Sequence, residues 1–280
     1  MKMLLHQRKV FSTALIAVWS IITLFPLIWM AYSSFKTNKE IVRSTFSLPT
    51  SIQFDNYFNA WNGIANNATI GRYLINSMVV TVLAVAIIVP VVFLAGYSLG
   101  RYDFKGKNLV SSFLIVIIAV PVQAVIISLY NLMNSLSLTN THIGLAFAYA
   151  ATNVAFMSIL LSSFFRTFPS EIEEAATIDG CNEASKLIHV VLPLSMPAVA
   201  TVVIIMVINV WNELLFAIVI LQKTQLKTLT QGLISFMDDG GIDFAQTFAA
   251  LTISTIPILV FFLVFQKQII AAMTDGAVKG

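Results

Sequence analysis

The residues able to do chemistry in this chain are few, and most of them cluster. Between positions 166 and 193 stand Arg166, Glu171, Glu173, Glu174, Asp179, Glu183 and Lys186, the densest ionic stretch of the sequence. A second group is sparser: Glu213 lies inside an apolar run, and Asn209 and Asn212 share its helical face at i, i+3, i+4 spacing. The histidines, His6, His142 and His189, are too scattered for a metal cluster, and Cys181, the single cysteine, excludes an internal disulfide. No H-E-x-x-H stretch and no nucleophile beside a histidine is present, which argues against an intramembrane enzyme. A G-x-x-x-x-G-K-[ST] phosphate loop is missing too. Gly106-Lys107 lacks the upstream glycine, since position 101 is Arg101, and Asn108 follows where Ser or Thr is needed.

The elements that must position these residues are apolar. Of 280 residues, 58% are hydrophobic and 10% charged, where a soluble domain has about 25% charged. The mean hydropathy of +0.87 excludes an ordinary water-soluble fold. The net charge of +3 and pI near 9.0 read as membrane-orienting charge rather than a nucleic-acid footprint. A spanning helix needs about 20 mostly apolar residues to cross about 30 Å of hydrocarbon. Six stretches qualify: 11–32, 74–99, 109–132, 143–165, 198–221 and 248–271. Apart from Lys267 near the end of the last and Glu213 in the fifth, they carry no Asp, Glu, Arg or Lys. The first resembles a signal segment in being preceded by Lys2, Arg8 and Lys9. Its apolar run nevertheless exceeds the roughly 7 to 15 residues of such a segment and no A-x-A site follows, so it is expected to be a retained anchor. The expectation is one transmembrane domain over 1–280, all-α, with six spans.

Lys and Arg distribution orients it. With the N-terminus inside, ten of the sixteen basic residues fall on inner segments, which favours N- and C-termini both in the cytoplasm. Segment 35–73 is then an outer loop, in which Asp55 to Trp61 suggests a short helix on the membrane surface with its aromatics among the headgroups. Segment 222–247, with Asp238-Asp239-Gly240-Gly241, is an outer linker that either reaches toward a docking partner or is merely solvated.

The ionic segment 166–193 lies in the cytoplasm on this topology and reads as two short helices. Pro169-Ser170-Glu171-Ile172-Glu173 predicts a capping box, with Ser170 and Glu173 satisfying each other's backbone N–H groups. Ile172, Ala175 and Ala176 share a face. Gly180 interrupts the run where a left-handed turn needs no Cβ, and Asp179 is placed to cap the next helix. Ala184, Leu187, Ile188 and Val191 then form a second stripe, and Pro193 and Pro197 mark the entry of the fifth span. The product is a helix-turn-helix with a small-residue surface suited to docking, unless it only caps the bundle.

Glu174-Ala175-Ala176, three residues, Gly180, nine residues, then Val190-Val191-Leu192-Pro193 resembles the EAA loop of permease subunits from binding-protein-dependent ABC importers. That motif runs E-A-A, three residues, G, nine residues, I-x-L-P, and Val190 for Ile is the one departure. The resemblance covers essentially the whole chain and narrows to sugar permeases of the maltose-transporter class, most like its smaller six-span subunit. Gly96-Tyr97-Ser98-Leu99-Gly100-Arg101-Tyr102-Asp103-Phe104-Lys105-Gly106 is similar to that class's loop after the second span. Pro121-Val122-Gln123 and Trp211-Asn212-Glu213 resemble its third- and fifth-span regions, and Gly276 to Gly280 its C-terminus.

The resemblance implies the permease fold of type I ABC importers, in the bacterial cytoplasmic (inner) membrane. In such proteins the EAA helix sits in a cleft of a cytoplasmic ATPase subunit and transmits its closure. Carried over here, the docking residues are Glu174, Ala175, Ala176, Asp179 and Gly180, with Val190, Leu192 and Pro193 completing the motif. The implied partners are a second permease, two ATPase subunits that hold the ATP and Mg, an extracytoplasmic solute-binding protein and a carbohydrate, most simply an oligosaccharide. Glycerol phosphate or another polyol is the neighbouring substrate class. No cofactor, metal or nucleic acid is expected of this chain. An ion-coupled secondary carrier fits less well, because it would place several ionisable residues at the midplane and only Glu213 is deep.

Glu213 keeps two readings. With Asn209 and Asn212 it borders the solute pathway or pairs with the second permease, or it makes an internal hydrogen bond that holds helices together. Gln123 and Asn153 are weaker pathway candidates, each more simply an interhelical bond. Gly96 and Gly100 form a small-x-x-x-small pair that signals either a turn or a packing face.

Overall fold

A computed structural model describes residues 2–62, 69–238 and 243–277, with side chains over 11–62, 69–234 and 243–268. Every regular element among the described residues is helical. The helices are α1 (Lys2–Ser33), α2 (Asn38–Arg43), α3 (Asp55–Asn62), α4 (Ile70–Arg101), α5 (Lys107–Ala119), α6 (Ile126–Ser135) and α7 (His142–Arg166). They continue as α8 (Ser170–Ile178), α9 (Glu183–Lys186), α10 (Leu192–Asn212), α11 (Leu215–Ile220), α12 (Leu229–Asp238) and α13 (Phe244–Ala277). Five helical stretches are long and apolar enough to cross a bilayer, and the bent pair 107–119 plus 122–135 supplies the sixth if it is one span.

The chain divides into two compact units, Met1–Arg72 with Gly232–Pro257 and Tyr73–Gln231 with Ile258–Gly280. In the first, α1 from Phe11 on is predominantly apolar around its circumference and leaves that surface outside, as a lipid-facing helix does. The chain after it is pinned tightly. Lys36 is fully buried, donating from Nζ to the carbonyls of Ser44 and Thr45 at 3.0 Å each, and Asn56 donates to the carbonyls of Ser34 and Lys36 at 2.8 Å. A capping box opens α2: Glu40 N donates to Thr37 Oγ1 at 3.3 Å and Thr37 N to Glu40 Oε2 at 2.8 Å. The other Glu40 oxygen accepts from the backbone N and the hydroxyl of Thr50. These hydrogen bonds, led by the Thr50 hydroxyl, hold the Glu40 carboxyl down at about 2. The short helix expected at 55–61 is α3.

In the second unit α4, α7 and α10 enclose a core that includes Ala84, Ile88, Leu145, Ala148, Met157, Leu161, Val202 and Met206. The Gly96/Gly100 pair is a packing face. A Cβ at Gly96 would stand 2.6 Å from Leu161 Cβ, and one at Gly100 would stand 2.6 Å from Phe165 Cβ, so only glycine lets α4 and α7 approach this closely.

Two of the six expected spans are not continuous. The stretch at 109–132 bends by 92° between α5 and a 3-10 turn at Val122–Val125. Pro121 has no N–H to continue the helix and pushes Val120 into the extended region, at φ −75°, ψ 121°. The stretch at 198–221 breaks at Glu213, whose backbone is extended (φ −75°, ψ 136°), and resumes as α11. That stretch also begins earlier than expected: helix runs from Glu183 through a π-helical turn, Leu187–Val191, into α10. Leu192 N donates to Leu187 O, a bond one residue longer than an α-helical one. Pro193 follows directly on this wider turn, as the second residue of α10.

Residues 222–231, expected to be part of an outer linker, are tied down. Asn140 Oδ1 accepts from the N–H groups of Gln222 and Lys223 at 2.8 and 3.0 Å, and Asn76 Nδ2 donates to the carbonyls of Gln225 and Lys227 at 3.0 and 2.9 Å. Asp238 ends α12, while Asp239-Gly240-Gly241 lies outside the described residues.

Candidate functional site

The ionic loop after α7 folds as the expected helix-turn-helix, but its caps differ from those predicted. Pro169, not Ser170, precedes the first helical residue and no side chain caps α8. Glu173 is drawn elsewhere. Its Oε1 makes an ion pair with Arg101 Nε at 2.8 Å and its Oε2 accepts from the Tyr97 hydroxyl at 3.1 Å. A carboxylate prefers a charge-assisted partner to a backbone N–H that water can satisfy. Asp179 closes α8 rather than capping α9, and Gly180 follows at φ +83°, in the left-handed conformation that its lack of a Cβ permits. Gly180 N donates to Thr177 O at 3.1 Å and Cys181 N to Ala176 O at 3.0 Å, the paired bonds of a Schellman end. Asn182 caps α9 instead, its Oδ1 accepting from Ser185 N at 2.8 Å.

The EAA-type residues are distributed over this loop as follows. Glu174, Ala175, Asp179 and Gly180 are exposed, whereas Ala176 is buried against the body of the unit. Beside them Ile178 stands 86% exposed, an apolar side chain at the tip of a charged loop. Val190 and Leu192 are half-buried in and after the π turn, and Pro193 is exposed.

The end of α4 meets the loop at two points. Arg101 Nη1 donates to the Phe168 carbonyl at 3.1 Å while its Nε pairs with Glu173. Tyr102 donates its hydroxyl to Glu183 Oε2 at 2.6 Å, and Glu183 Oε1 accepts from Lys186 Nζ at 2.7 Å. That bond to Glu183, with partial burial second, raises the Tyr102 phenol above its ordinary range and keeps it a donor. Tyr97, Arg101 and Tyr102 were legible in the sequence only as part of a run resembling a family loop. Their partners lie 67 to 81 positions away, and only the Arg101–Glu173 pair carried a further signal, opposite charge.

Of the expected pathway residues, Asn153, Asn209 and Glu213 form one group, and Asn212 and Gln123 lie outside it. Asn209 Nδ2 donates to Asn153 Oδ1 at 3.2 Å, and Asn153 Nδ2 to Tyr149 O at 2.9 Å. Tyr149 in turn donates its hydroxyl to Glu213 Oε2 at 2.7 Å. Asn212, expected on the same helical face as Glu213, donates back to Ile208 O at 2.8 Å, because the helix ends between them. Gln123 stands exposed in the 3-10 turn after the Pro121 break. Tyr149, one turn before Asn153, is the member that spacing alone did not single out.

An all-helical set of apolar spans, interrupted twice and carrying a charged helix-turn-helix outside them, defines a polytopic membrane protein. Residues 92–275 match the family described as binding-protein-dependent transport system inner membrane component, and the chain belongs to that family. It is 33% identical over 270 residues to the permease protein of a diacetylchitobiose uptake system from Streptomyces coelicolor, covering 96% of this chain and 88% of that one. It is 36% identical over 256 residues to a probable ABC transporter permease of Bacillus subtilis, covering 91% and 84%. It is 30% identical over 264 residues to a trehalose/maltose transport system permease of Thermococcus litoralis, covering 93% of each chain. Among solved structures, a chain of a bacterial ABC transporter that imports alginate superposes with a TM-score of 0.81, at 22% identity, over 94% of this chain and 96% of that one. The protein is thus a multi-pass inner-membrane permease subunit of the ABC importer class, and the family is one of transport components rather than enzymes.

Proposed function

We propose that this permease forms half of the translocation pathway for a carbohydrate, most simply an oligosaccharide, and is driven by a separate ATPase through the loop 166–193. The substrate class is supported by relatives named for diacetylchitobiose, trehalose and maltose, and arabinooligosaccharides. The observation that carries the coupling role is the loop itself. It is an ordered helix pair that turns Ala176 inward and leaves Glu174, Ala175, Ile178, Asp179 and Gly180 outward, with only small side chains and one apolar tip between the charges. Such a surface lets another backbone approach closely. Val190, Leu192 and Pro193 set the exit of the second helix into α10.

The working assembly is this chain with a second permease, two ATPase subunits that hold ATP and Mg, and an extracytoplasmic binding protein. One of the alginate-transporter structures that this fold resembles is of a complex with a substrate-bound periplasmic protein. The N- and C-termini and the loop 166–193 lie in the cytoplasm, in line with the bias of Lys and Arg, and residues 1–280 act as one transmembrane domain.

The test is to tag the chain, extract it from native membranes in mild detergent and identify what co-purifies while assaying ATP hydrolysis. Recovery of an ATPase and a second permease, with hydrolysis stimulated by a sugar-loaded binding protein, is the expected result. A stable lone chain that moves solute in vesicles without ATP overturns the reading.

A further inference from the structure

The loop 166–193 is held by a helix that is not its neighbour in sequence. Within two residues of the end of α4, Arg101 grips both the Phe168 carbonyl, where the chain leaves α7, and Glu173 in α8, while Tyr102 grips Glu183 in α9. Tyr97, one turn earlier, adds a hydrogen bond to the same Glu173, and its ring meets that of Tyr102 edge to face with centroids 5.6 Å apart. One short segment therefore fixes three successive parts of the loop. The Arg101 and Glu173 side chains are 16% and 12% exposed, so their pairing is screened far less than an ordinary surface pair. The close approach at Gly96 and Gly100 brings this end of α4 against Leu161 and Phe165 of α7, within reach of the loop.

Resting on the coupling role proposed above, we infer that the end of α4 is the clamp that sets the position of the docking face. Tyr97, Arg101 and Tyr102 are its positioning residues. The geometry assigns α4, rather than only the flanking α7 and α10, as the span that moves with the loop. The clamp grips Glu173, whose side chain is turned inward to α4, and the solvent-exposed Glu183, and leaves the adjacent Glu174 to a partner.

The experiment uses the full chain with Cys181→Ser and Glu171→Cys, spin-labelled at position 171 in the first turn of α8, and the unlabelled Cys181→Ser parent for binding of the co-purifying ATPase. Into each go Arg101→Glu, Glu173→Arg, their combination, and the milder Tyr102→Phe, with size-exclusion behaviour and thermal unfolding as checks on folding. The single charge reversals are expected to shorten the label's correlation time and to weaken ATPase binding about tenfold, with the combination restoring both to within about threefold. Tyr102→Phe shifts both in the same direction by less. A purely structural role would lower the yield of folded chain without rescue by the swapped pair. An unchanged label in folded single variants overturns the clamp, and a loosened label with unchanged ATPase binding overturns its positioning role. If no ATPase binds the parent, the coupling role itself falls, and the label alone then decides whether α4 holds the loop.

Discussion

Tyr149 of α7 donates its hydroxyl to Glu213 at the break between α10 and α11, across 2.7 Å. The same carboxylate accepts from Phe216 N at 3.0 and 3.2 Å and from Ala217 N at 3.4 Å, so it also caps α11 at the positive end of its dipole. The carbonyl of Glu213 accepts from Thr230 Oγ1 at 3.0 Å. Of the two roles open to Glu213, this geometry favours the internal one: a carboxylate in an apolar segment, satisfied by donors from its own chain, joins helices.

Glu213→Gln and Tyr149→Phe should therefore each lower stability by about 1 to 3 kcal/mol, since each leaves a buried partner short of a bond. The double variant should lose less than the sum, with a coupling of about 0.5 to 2 kcal/mol. Thermal unfolding of the four proteins in one detergent measures this, and strict additivity would show that the two groups do not depend on one another.

Gly96→Ala or Gly100→Ala should cost about 1 to 3 kcal/mol, because each new methyl meets the side-chain base of an α7 residue at 2.6 Å. Gly106→Ala is the control. Gly106 has φ +93° with nothing within 4 Å, so it should cost only the backbone penalty of about 1 kcal/mol. Equal losses at all three positions would contradict the packing account.

On the coupling loop, Glu174→Lys should abolish uptake while leaving membrane insertion intact by altering the exposed face, and Gly180→Trp should do the same by crowding that face and straining the left-handed turn at φ +83°. Uptake is followed with the parent complex's own solute and insertion by membrane fractionation. Normal uptake in either variant removes these residues from the docking surface.

Cys181, the single cysteine, follows Gly180 in the turn of that loop and is partly accessible. A membrane-impermeant maleimide should label it only after cells are opened. Labelling of intact cells would place the loop, and both termini with it, on the outer side.

The Glu40 staple between Thr37 and Thr50 should show an acid dependence. Its carboxyl is lowered from 4.5 to about 2, so its contribution is fully present above 4.5 and is lost as the pH falls toward and through about 2. Hydrogen exchange of the α2 amides between pH 5 and pH 2 should report progressive loss of protection that Glu40→Gln already shows at pH 5. Protection that does not change over this range would contradict the staple.

Much of this architecture could be read before any coordinates. Apolar runs of spanning length, the turn at Gly180 and the helix on either side of it follow from rules that act along one continuous segment of the chain. What local rules missed are choices between local and distant partners. Ser170 and Glu173 satisfy the pattern of a capping box, yet Arg101 lies seventy-two positions upstream and wins the carboxylate. Proline is equally ambiguous: Pro26, Pro90, Pro197 and Pro257 lie inside helices, whereas Pro121 ends one. Whether neighbouring helices can absorb the lost bond is a property of packing, which spacing does not encode. Glu213 could be seen to need partners, but not that the helix would stop to supply them.

The sharp bend after Val120 bears on what happens to a copy that never meets its partners. Pro121, Gln123, Ala124 and Val125 are exposed on this subunit, at a point where the helical ladder is interrupted. Hydrocarbon solvates neither free peptide groups nor an amide side chain, so that stretch is stable only against water or another polypeptide. A copy without its partner chains would leave this interrupted, amide-bearing turn to whatever solvent surrounds it, and hydrocarbon is the poorest of those solvents for it.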